Sequence, residues 1–228
     1  MALGTRKLGI RQYKESDRDD IGDICVRTGD LGGDATGQFV SDQLLPAVYA
    51  YPYVDYAPQF AWVVEDLGAD ESQVEPGQGK AVGYIIGVPS VPDLVEWWQS
   101  QYLPEYTANF SPDQSWGPSD LNLLARGANP KERLHLDVEE FPAEFHIDLL
   151  PAAQGQGLGR QLVNTFVEAL GRAEVDGVAV GVSADNAGAV GFYKRLGFET
   201  LAEETSDGKI VAYRMGLNVP GYLEQLSK

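Results

Sequence analysis

Apolar residues recur along the chain with two different periods, and these periods predict strands and helices. Short apolar or alternating runs are typical of strands, which we predict at residues 7–13, 60–64, 81–88, 145–150, 178–182 and 210–215. One later segment repeats at the helical period, with an apolar stripe formed by Leu158, Leu162, Val163, Phe166, Val167 and Leu170. An earlier helix is predicted to start at Ser16, as its N-cap, and to run through Val26. The pattern indicates a chain that mixes strands with helices.

A glycine-rich stretch, Gln154-Gly155-Gln156-Gly157-Leu158-Gly159-Arg160, joins the strand at 145–150 to the striped helix. Backbone without side chains can approach a ligand closely, and the first turn of the helix has N–H groups without partners. The junction can therefore bind a phosphate ester, although an ordinary strand-to-helix turn would also use glycine. The stretch lacks the Gly-Lys-Ser/Thr ending of a Walker loop, and its Gly-x-Gly-x-Gly spacing differs from the Gly-x-Gly-x-x-Gly of a dinucleotide site.

The pattern Gln154-x-x-Gly157-x-Gly159 resembles the acyl-CoA pyrophosphate loop of the GNAT superfamily of N-acetyltransferases. A second match runs from Asn186 to Phe198, where that family has its last helix and turn. The resemblance implies an α/β (α+β) fold, with a central mixed, mostly antiparallel twisted sheet flanked by helices. In this fold the fourth and fifth strands splay apart to admit acyl-CoA. We expect one domain over residues 1–228, with an aromatic-rich insertion at about 89–142.

The resemblance also implies how acetyl-CoA, the expected co-substrate, would be bound. Backbone groups of Leu149 and Leu150 would pair with the pantetheine, and Asn186 would bond either the pantetheine or the start of the last helix. Tyr193 matches the family's tyrosine that protonates the departing thiolate, and the alternative is an ordinary packed tyrosine. The pyrophosphate would rest on the backbone amides of Gln154, Gly155, Gln156, Gly157, Leu158, Gly159 and Arg160. No metal is expected, because the two histidines and the single cysteine show no usual ligand spacing.

Three ionisable side chains, Glu144, His146 and Asp148, alternate along the strand before the glycine loop and should share one face. An amine acceptor with a pKa near 10.4 is about three pH units from its free base at pH 7, which costs about 4 kcal/mol unless a base assists. His146 is the best candidate for that base, and Asp148 is expected to orient His146 or to bind the ammonium. The alternative for His146 is a strand histidine bonded to a neighbour.

Charged and aromatic residues elsewhere are candidates for the acceptor pocket. Arg27, Asp30 and Asp34 lie in a glycine-rich loop that helps to wall this pocket in the family, and the alternative is that the aspartates cap local turns. Trp97 lies in the insertion, a long segment of the kind that often forms a lid or a binding loop. Residues 101–130 of this insertion are rich in Pro, Gly, Ser and Asn, and we expect them to form an ordered but irregular loop. The lone Cys25 falls on an apolar helix face and is expected to be a packed residue rather than a nucleophile.

Charge and composition narrow the range of partners. Seventeen basic and 34 acidic residues give a net charge of −17, which argues against nucleic acid and anionic membranes. This charge either attracts cationic ligands or only confers solubility. A single cysteine excludes an internal disulfide and makes the cytoplasm the expected location. Neither a signal peptide nor a membrane span is expected from the hydropathy of the chain. A monomer and a homodimer both remain open.

These observations predict an N-acetyltransferase that moves acetyl from acetyl-CoA to a primary amine of a small molecule, such as an amino-sugar or a polyamine. A narrower resemblance, to the acetyltransferase-like domain found beside O-GlcNAc hydrolases, rests on the loop at 27–36, the aromatic insertion and the His-Ile-Asp-Leu-Leu-Pro run before the glycine loop. Acetyl transfer by that group is uncertain. A catalytically silent acyl-CoA-binding or protein-interaction module is therefore the second hypothesis.

Overall fold

The computed structural model describes residues 7–68 and 77–227. Within these residues one sheet runs through the molecule in the strand order β1-β2-β3-β4-β5-β7-β6. Its strands are β1 (Leu8–Gln12), β2 (Ala61–Asp66), β3 (Lys80–Val88), β4 (Ala143–Leu149), β5 (Gly177–Ser183), β6 (Glu199–Ser206) and β7 (Lys209–Asn218). All neighbouring strands are antiparallel except β4 and β5, which are parallel. The predicted mixed, mostly antiparallel sheet is confirmed.

Helices cover both faces of the sheet. They are α1 (Arg18–Thr28), α2 (Leu44–Tyr49), α3 (Tyr51–Tyr56), α4 (Val91–Trp97), α5 (Leu103–Asn109), α6 (Pro118–Ala128), α7 (Leu158–Arg172), α8 (Ala187–Leu196) and α9 (Val219–Leu226). The apolar stripe of α7 is buried along its whole length, as its helical period predicted. Phe166 of this stripe lies 5.2 Å from the ring of Phe145 and 6.3 Å from that of Trp62, between ring centroids. The α7 stripe therefore packs on the face of the sheet opposite to α1, α2 and α3.

Two local predictions were wrong. Ser16 does not cap α1, because it lies inside a short 3-10 turn, Glu15–Asp17, that precedes the helix. The part of the insertion after residue 101, expected from its composition to be irregular, contains the helices α5 and α6. Both helices carry proline only in their first turn, where a missing N–H costs nothing. The insertion also has its own buried aromatic residues, since Trp98 is fully buried and donates from Nε1 to the carbonyl of Gly127 at 3.1 Å.

The strands β4 and β5 touch at one end only. Ala143 pairs with Val178 and Glu144 pairs with Ala179, and no further pair between these two strands is formed in the described structure. Beyond this point β4 stays paired with β3, and β5 stays paired with β7, up to the ends of both ladders. The two halves of the sheet therefore separate, which confirms the expected splay of the fourth and fifth strands.

Candidate active site

The gap between β4 and β5 opens into a cleft of about 810 Å³. Its wall carries residues from β4, β5, α8, the loop after α1 and the glycine-rich loop, among them Asp148, Leu149, Gln154, Asn186 and Tyr193. These five were all predicted as site residues from the sequence. The cleft therefore brings the two linked sequence matches, around Gly157 and around Tyr193, to one place.

The exposed edge of β4 presents backbone groups to this cleft. Leu150 donates its N–H to the carbonyl of Val82 at 2.9 Å, and its own carbonyl accepts from Ala153 at 2.8 Å. Because backbone groups of successive residues in an antiparallel strand point to opposite sides, those of Leu149 and Ile147 point away from β3 and into the gap. The prediction for Leu149 fits this geometry through its N–H, since its carbonyl accepts from the Gln154 side chain at 2.8 Å, whereas both backbone groups of Leu150 have partners within the protein.

The glycine loop has the backbone geometry of a close-approach site. Gly155 and Gly157 have φ angles of +73° and +77°, in the left-handed region that favours glycine, and neither has a neighbouring atom where a Cβ would lie. Gly157 directly precedes α7, so the free N–H groups of the first turn follow it. The side-chain amides of Gln154 and Gln156 donate to the carbonyls of Leu149 and Ala152, each at 2.8 Å. Both glutamines thus brace the loop.

Only part of the loop reaches the cleft. Gln154 and Gly159 lie on its wall, whereas Gly155, Gln156, Gly157, Leu158 and Arg160 are not among the described lining residues. Arg160 is exposed on the first turn of α7, and Leu158 is buried as part of the apolar stripe. An anion on this loop would therefore sit at the end of the cleft, with any attached chain leading inward.

Tyr193 lies deep in the cleft with an unused hydroxyl. Its ring is packed 6.2 Å from that of Phe145 and 5.2 Å from that of Phe198, and the side chain is 8% exposed. The hydroxyl has no hydrogen-bond partner among residues 7–68 and 77–227. Burial, with a smaller contribution from the negative charge of Asp148, raises the pKa of Tyr193 well above its ordinary value. The phenol therefore stays protonated at neutral pH and can donate.

Asn186 fixes the start of the helix that carries Tyr193. Its Oδ1 accepts from the N–H of Ala189 at 3.0 Å, which is an N-cap contact. Its Nδ2 donates to the carbonyl of Leu31 at 3.4 Å, so the same side chain links α8 to the loop after α1. Of the two predicted roles, the structure shows contact with the helix start.

Asp148 faces the cleft from β4. The hydroxyl of Tyr84, on the neighbouring strand β3, donates to its Oδ2 at 2.7 Å. Burial raises the pKa of Asp148 above its usual range even though this hydrogen bond favours the carboxylate. Cys25 lies on the same wall and is 4% exposed, and burial raises the pKa of its thiol. The expectation that Cys25 is a packed residue rather than a thiolate nucleophile agrees with both observations.

His146 belongs to a hydrogen-bonded network rather than to a pair with Asp148. Its Nε2 lies 3.1 Å from the hydroxyl of Tyr53, which also accepts from Arg133 Nη1 at 2.8 Å and donates to Glu144 in a short hydrogen bond. Because the hydroxyl has one hydrogen, His146 must donate from Nε2 and keep its lone pair on Nδ1. Burial lowers the pKa of His146 to about 4. The side chain is therefore a neutral, weak base whose ring packs edge-on against Tyr53 and Tyr49.

The three ionisable residues of β4 share one face, as their alternation predicted, but the expected contact between Asp148 and His146 is absent. Glu144 and His146 bond to Tyr53, and Asp148 bonds to Tyr84. Tyr53 and Tyr84 were not singled out as site residues. Tyr84 lies in a buried apolar strand and Tyr53 in a short tyrosine-rich helix, so neither carries a sequence signal that separates it from a packed aromatic residue.

The four residues predicted to contact the acceptor lie off the described wall of the cleft. Arg27 pairs with Asp23 at 3.3 Å on the exposed side of α1, and Asp30 accepts from Gln38 at 3.0 Å. Asp34 accepts from the backbone N–H of Thr36 at 2.9 Å, the local turn contact that was the alternative. Trp97 packs against Tyr56, with ring centroids 5.3 Å apart. The loop after α1 does reach the cleft, through Gly29, Leu31 and Gly32 instead.

Comparison with known proteins places this fold and cleft in a family. The Acetyltransferase (GNAT) family matches residues 42–198, and the chain belongs to that family. A crystal structure of a protein named SsHAT superposes with a TM-score of 0.81 at 32% identity, over 93% of this chain and 98% of that chain.

More distant relatives match parts of the chain or only its fold. Mycothiol acetyltransferase of Mycobacterium avium (strain 104) is 36% identical over 81 residues, which is 32% of this chain and 26% of that protein. A putative acetyltransferase from Salmonella typhimurium, solved with acetyl-CoA, has a TM-score of 0.51 at 15% identity over 93% of this chain and 94% of that chain. The second likeness shows the fold alone.

The described residues contain neither a metal-binding cluster nor a membrane-spanning helix. No group of three or more His, Cys, Asp or Glu side chains in residues 7–68 and 77–227 could hold a metal ion. In the same residues no helix is long and apolar enough to cross a membrane.

Proposed function

We propose that this protein transfers an acetyl group from acetyl-CoA to a primary amine of a small molecule, by direct attack of the amine while both ligands are bound. The observation that supports this most strongly is the cleft itself. It begins at a glycine loop suited to a phosphate and ends at a phenol that has no hydrogen-bond partner in the described structure, with a half-buried carboxylate on the same wall. A merely structural gap would not need an unpaired donor and a carboxylate together.

The residues present fit acetyl-CoA. The backbone amides around Gly157 would hold the pyrophosphate, and the backbone groups of Leu149 and Ile147 would pair with the pantetheine in the manner of an added strand. Acetyl-CoA supplies an acetyl group on a thioester. Tyr193, which burial keeps protonated, would donate its proton to the sulfur as the thiolate departs. The reference pKa values, near 10 for a phenol and near 8.5 for a thiol, already make that transfer uphill by about 2 kcal/mol, and the raised pKa of Tyr193 adds to this cost unless burial raises the pKa of the thiol as well.

Asp148 is better placed to act as the base than His146, the residue predicted for that role. His146 has a pKa of about 4 and its Nε2 is committed to Tyr53, so it accepts a proton poorly at neutral pH. Asp148 is a carboxylate in the cleft with a raised pKa, and it can attract an ammonium group and take up a proton. We therefore assign acceptor binding and proton removal to Asp148, and a positioning role to His146.

The first test is acetyl-CoA binding, by thermal melting with NADH as the control ligand. Acetyl-CoA at about 100 times its Kd should raise the free energy of unfolding by about 2.7 kcal/mol. Release of free thiol is then followed with a panel of primary amines. Asp148→Asn should keep the acetyl-CoA shift and lose turnover by about 10²-fold, because it keeps the shape and removes the base. Asp176→Asn, at an exposed aspartate outside the cleft, is the matched control and should change neither.

Two results would reject the proposal. If acetyl-CoA produces no shift, the glycine loop is structural only. If acetyl-CoA binds and no amine releases thiol, the chain is an acyl-CoA-binding module that has kept the family fold.

A further inference from the structure

A second cavity, of about 700 Å³, adjoins the cleft. Both cavities are lined by Tyr49, His146, Gly181, Val182 and Ser183. One wall of the second cavity comes from the insertion, through Arg126, Asn129, Glu132, Arg133 and His135. The other wall comes from β4 to β7 and carries Glu144 and Arg214. A ligand in this space would reach the acetyl-transfer region from the side of the insertion, past His146.

Arg214 is a buried cation on this wall with a spare donor. Its side chain is 5% exposed, and its Nε donates to Asp137 Oδ2 at 3.3 Å. Its Nη1 lies 3.9 Å from Glu144 Oε2, and its Nη2 has no hydrogen-bond partner in the described structure. Asp137 Oδ1 also lacks a partner, so Arg214 and Asp137 meet through one contact rather than through a two-contact fork. A buried guanidinium nitrogen without a partner is costly unless a ligand satisfies it.

The buried carboxylate of the cavity is already neutralised. Glu144 accepts from Tyr53 and forms ion pairs with Arg133 at 3.4 Å and with Arg214. It therefore offers little to a cationic ligand. Arg133 is largely committed, since its Nη2 donates to the carbonyl of Val48 at 2.8 Å, although its Nε has no hydrogen-bond partner in the described structure. Among the buried ionisable groups of the wall, the spare capacity is that of a hydrogen-bond donor.

Two further basic side chains line the cavity, and one of them, Arg126, adds to its positive charge. Arg126 is exposed at the last turn of α6, and its Nη1 lies 3.4 Å from the hydroxyl of Tyr49, at the junction of the two cavities. His135 is half-buried, and burial together with the positive charge of Arg214 lowers its pKa, so it is neutral at pH 7. The acidic side chains that remain, Glu132 and Glu204, are exposed to solvent. Their charges are screened by water far more than that of Arg214.

We infer that the acetyl acceptor carries an anionic oxygen group, a carboxylate or a phosphate, at the end remote from its amine, and that Arg214 and Arg126 bind this group. The inference rests on the proposed function, since it assigns the acceptor class of the same site. A guanidinium matches two oxygens of a carboxylate or a phosphate with two parallel hydrogen bonds, which fixes the acceptor's register as well as its charge. The acceptor is thus zwitterionic, in contrast to the purely cationic amine suggested by the net charge of −17.

The test compares acceptors in matched pairs that differ in the acid group. Propylamine is paired with β-alanine for a carboxylate, and ethanolamine is paired with phosphoethanolamine for a phosphate. Thiol release is measured at equal concentrations of free-base amine, so that the amine pKa does not decide the outcome. We expect kcat/KM to be at least about 10-fold higher for the acid-bearing member of one pair, and that pair identifies the group.

Single-residue variants test whether Arg126 and Arg214 cause the preference for an acid-bearing acceptor. Arg126→Gln should raise KM for the acid-bearing acceptor about 10-fold and leave the neutral acceptor of the pair unchanged. Arg172→Gln, at an exposed arginine in the last turn of α7, is the matched control and should change neither. Arg214→Lys keeps the charge and removes the fork, and it should also raise KM for the acid-bearing acceptor. If Arg214→Lys melts at a lower temperature, the exposed Arg126→Gln variant still decides the question.

Binding without turnover separates this inference from the proposed function. Thermal melts with β-alanine and with phosphoethanolamine, in the absence of acetyl-CoA, should show a shift that Arg126→Gln weakens. Acetyl transfer to neutral amines at equal or higher kcat/KM would overturn the inference and leave the proposed function standing. An arginine-dependent shift without any acetyl transfer would leave the anion site standing and remove the proposed function. No preference and no shift would overturn the inference.

Discussion

The two ends of β4 carry ionisable side chains on the same face of the sheet. These side chains are bonded to their neighbours at one end of the strand and face an open cleft at the other. At the amino-terminal end, Glu144 and His146 are bonded to Tyr53, and Glu144 is also paired with Arg133. At the carboxyl-terminal end, Asp148 faces an open cleft, opposite a Tyr193 hydroxyl that has no partner in the described structure. Side chains whose partners all lie inside the protein hold a structure together, whereas a carboxylate that borders open space and a phenol without a partner in the described structure are available for chemistry.

The two ends of β4 differ because different parts of the protein lie next to them. The helix α3 supplies Tyr53 and the insertion supplies Arg133 to the amino-terminal end, where β4 is still paired with β5. The carboxyl-terminal end lies beyond the last pair of β4 and β5, so the space beside it is the cleft. His146, two residues beyond the last pair of β4 and β5, also lines the cleft but is bonded to Tyr53, so the change from a structural half to a functional half of this strand face falls between His146 and Asp148.

The largest effect is expected for Glu144→Ala. This change leaves two buried guanidinium groups, Arg133 and Arg214, without their shared carboxylate. Breaking a buried ion pair from one side should lower the free energy of unfolding by about 3–5 kcal/mol, measured by urea denaturation. Glu203→Ala, at an exposed glutamate of β6, is the control and should stay within about 0.5 kcal/mol of the wild type. Equal effects of the two changes would contradict a structural role for this half of β4.

The pH dependence of stability tests the same half through His146. Its folded-state pKa is about 4 and its ordinary value is 6.5, so between these values the unfolded chain binds a proton that the folded protein does not. The stabilisation by neutral His146 is thus fully present above about pH 6.5 and falls as the pH drops toward 4, by about 3 kcal/mol in total.

Comparison with His146→Gln isolates this contribution, because nearby groups such as Glu144 titrate in both proteins. Urea denaturation at several pH values from 7 to 4 should show a steeper loss of stability for the wild type than for the variant. Parallel curves would mean that His146 is not held neutral by its burial.

Tyr193→Phe tests the functional half. The hydroxyl has no partner to lose, so the free energy of unfolding should stay within about 0.5 kcal/mol. Turnover should fall by about 10²-fold, with the Kd for acetyl-CoA preserved, because only proton donation to sulfur is removed. The crossed control is Tyr222→Phe, which removes a hydrogen bond to Asn164 Oδ1 of 2.7 Å outside the cleft. That variant should lose about 1 kcal/mol of stability and keep its turnover. The opposite pattern would remove Tyr193 from the mechanism.

The cofactor side of the site could be predicted from the sequence because its residues are close together in the chain. The loop around Gly157 and the helix of Tyr193 are each built from contiguous residues whose spacing determines their geometry, and each contributes to the cleft wall, the loop through Gln154 and Gly159 and the helix through Tyr193. The apolar stripe of α7 and the alternation along β4 are equally local, and both were confirmed.

The residues on the acceptor side of the site were harder to predict from the sequence, because their contacts join residues that are far apart in the chain. Tyr53 and Arg133 are 80 positions apart, and Tyr84 and Asp148 are 64 positions apart. Arg27 was chosen for its place in a loop that walls the pocket in the family and Trp97 for its place in the insertion, and the structure places both against other partners. The narrower resemblance to the domain found beside O-GlcNAc hydrolases stays a prediction.

The smallest expected effect is that of a substitution in the glycine loop, at the end of the cleft where the pyrophosphate would bind. Gly157→Ala places a side chain at a φ of +77°, which should cost about 1–2 kcal/mol of stability although no protein atom blocks the added methyl group. Gly208, in the turn between β6 and β7, has a φ of +75° and the same open surroundings, so Gly208→Ala should cost about as much. The two variants should differ in calorimetric titration with acetyl-CoA, since only Gly157 lies where backbone would approach the pyrophosphate. A weaker Kd for Gly157→Ala alone would show that this glycine serves the ligand as well as the turn. Equal Kd values would reduce it to a turn residue and move the phosphate contact further along the first turn of α7.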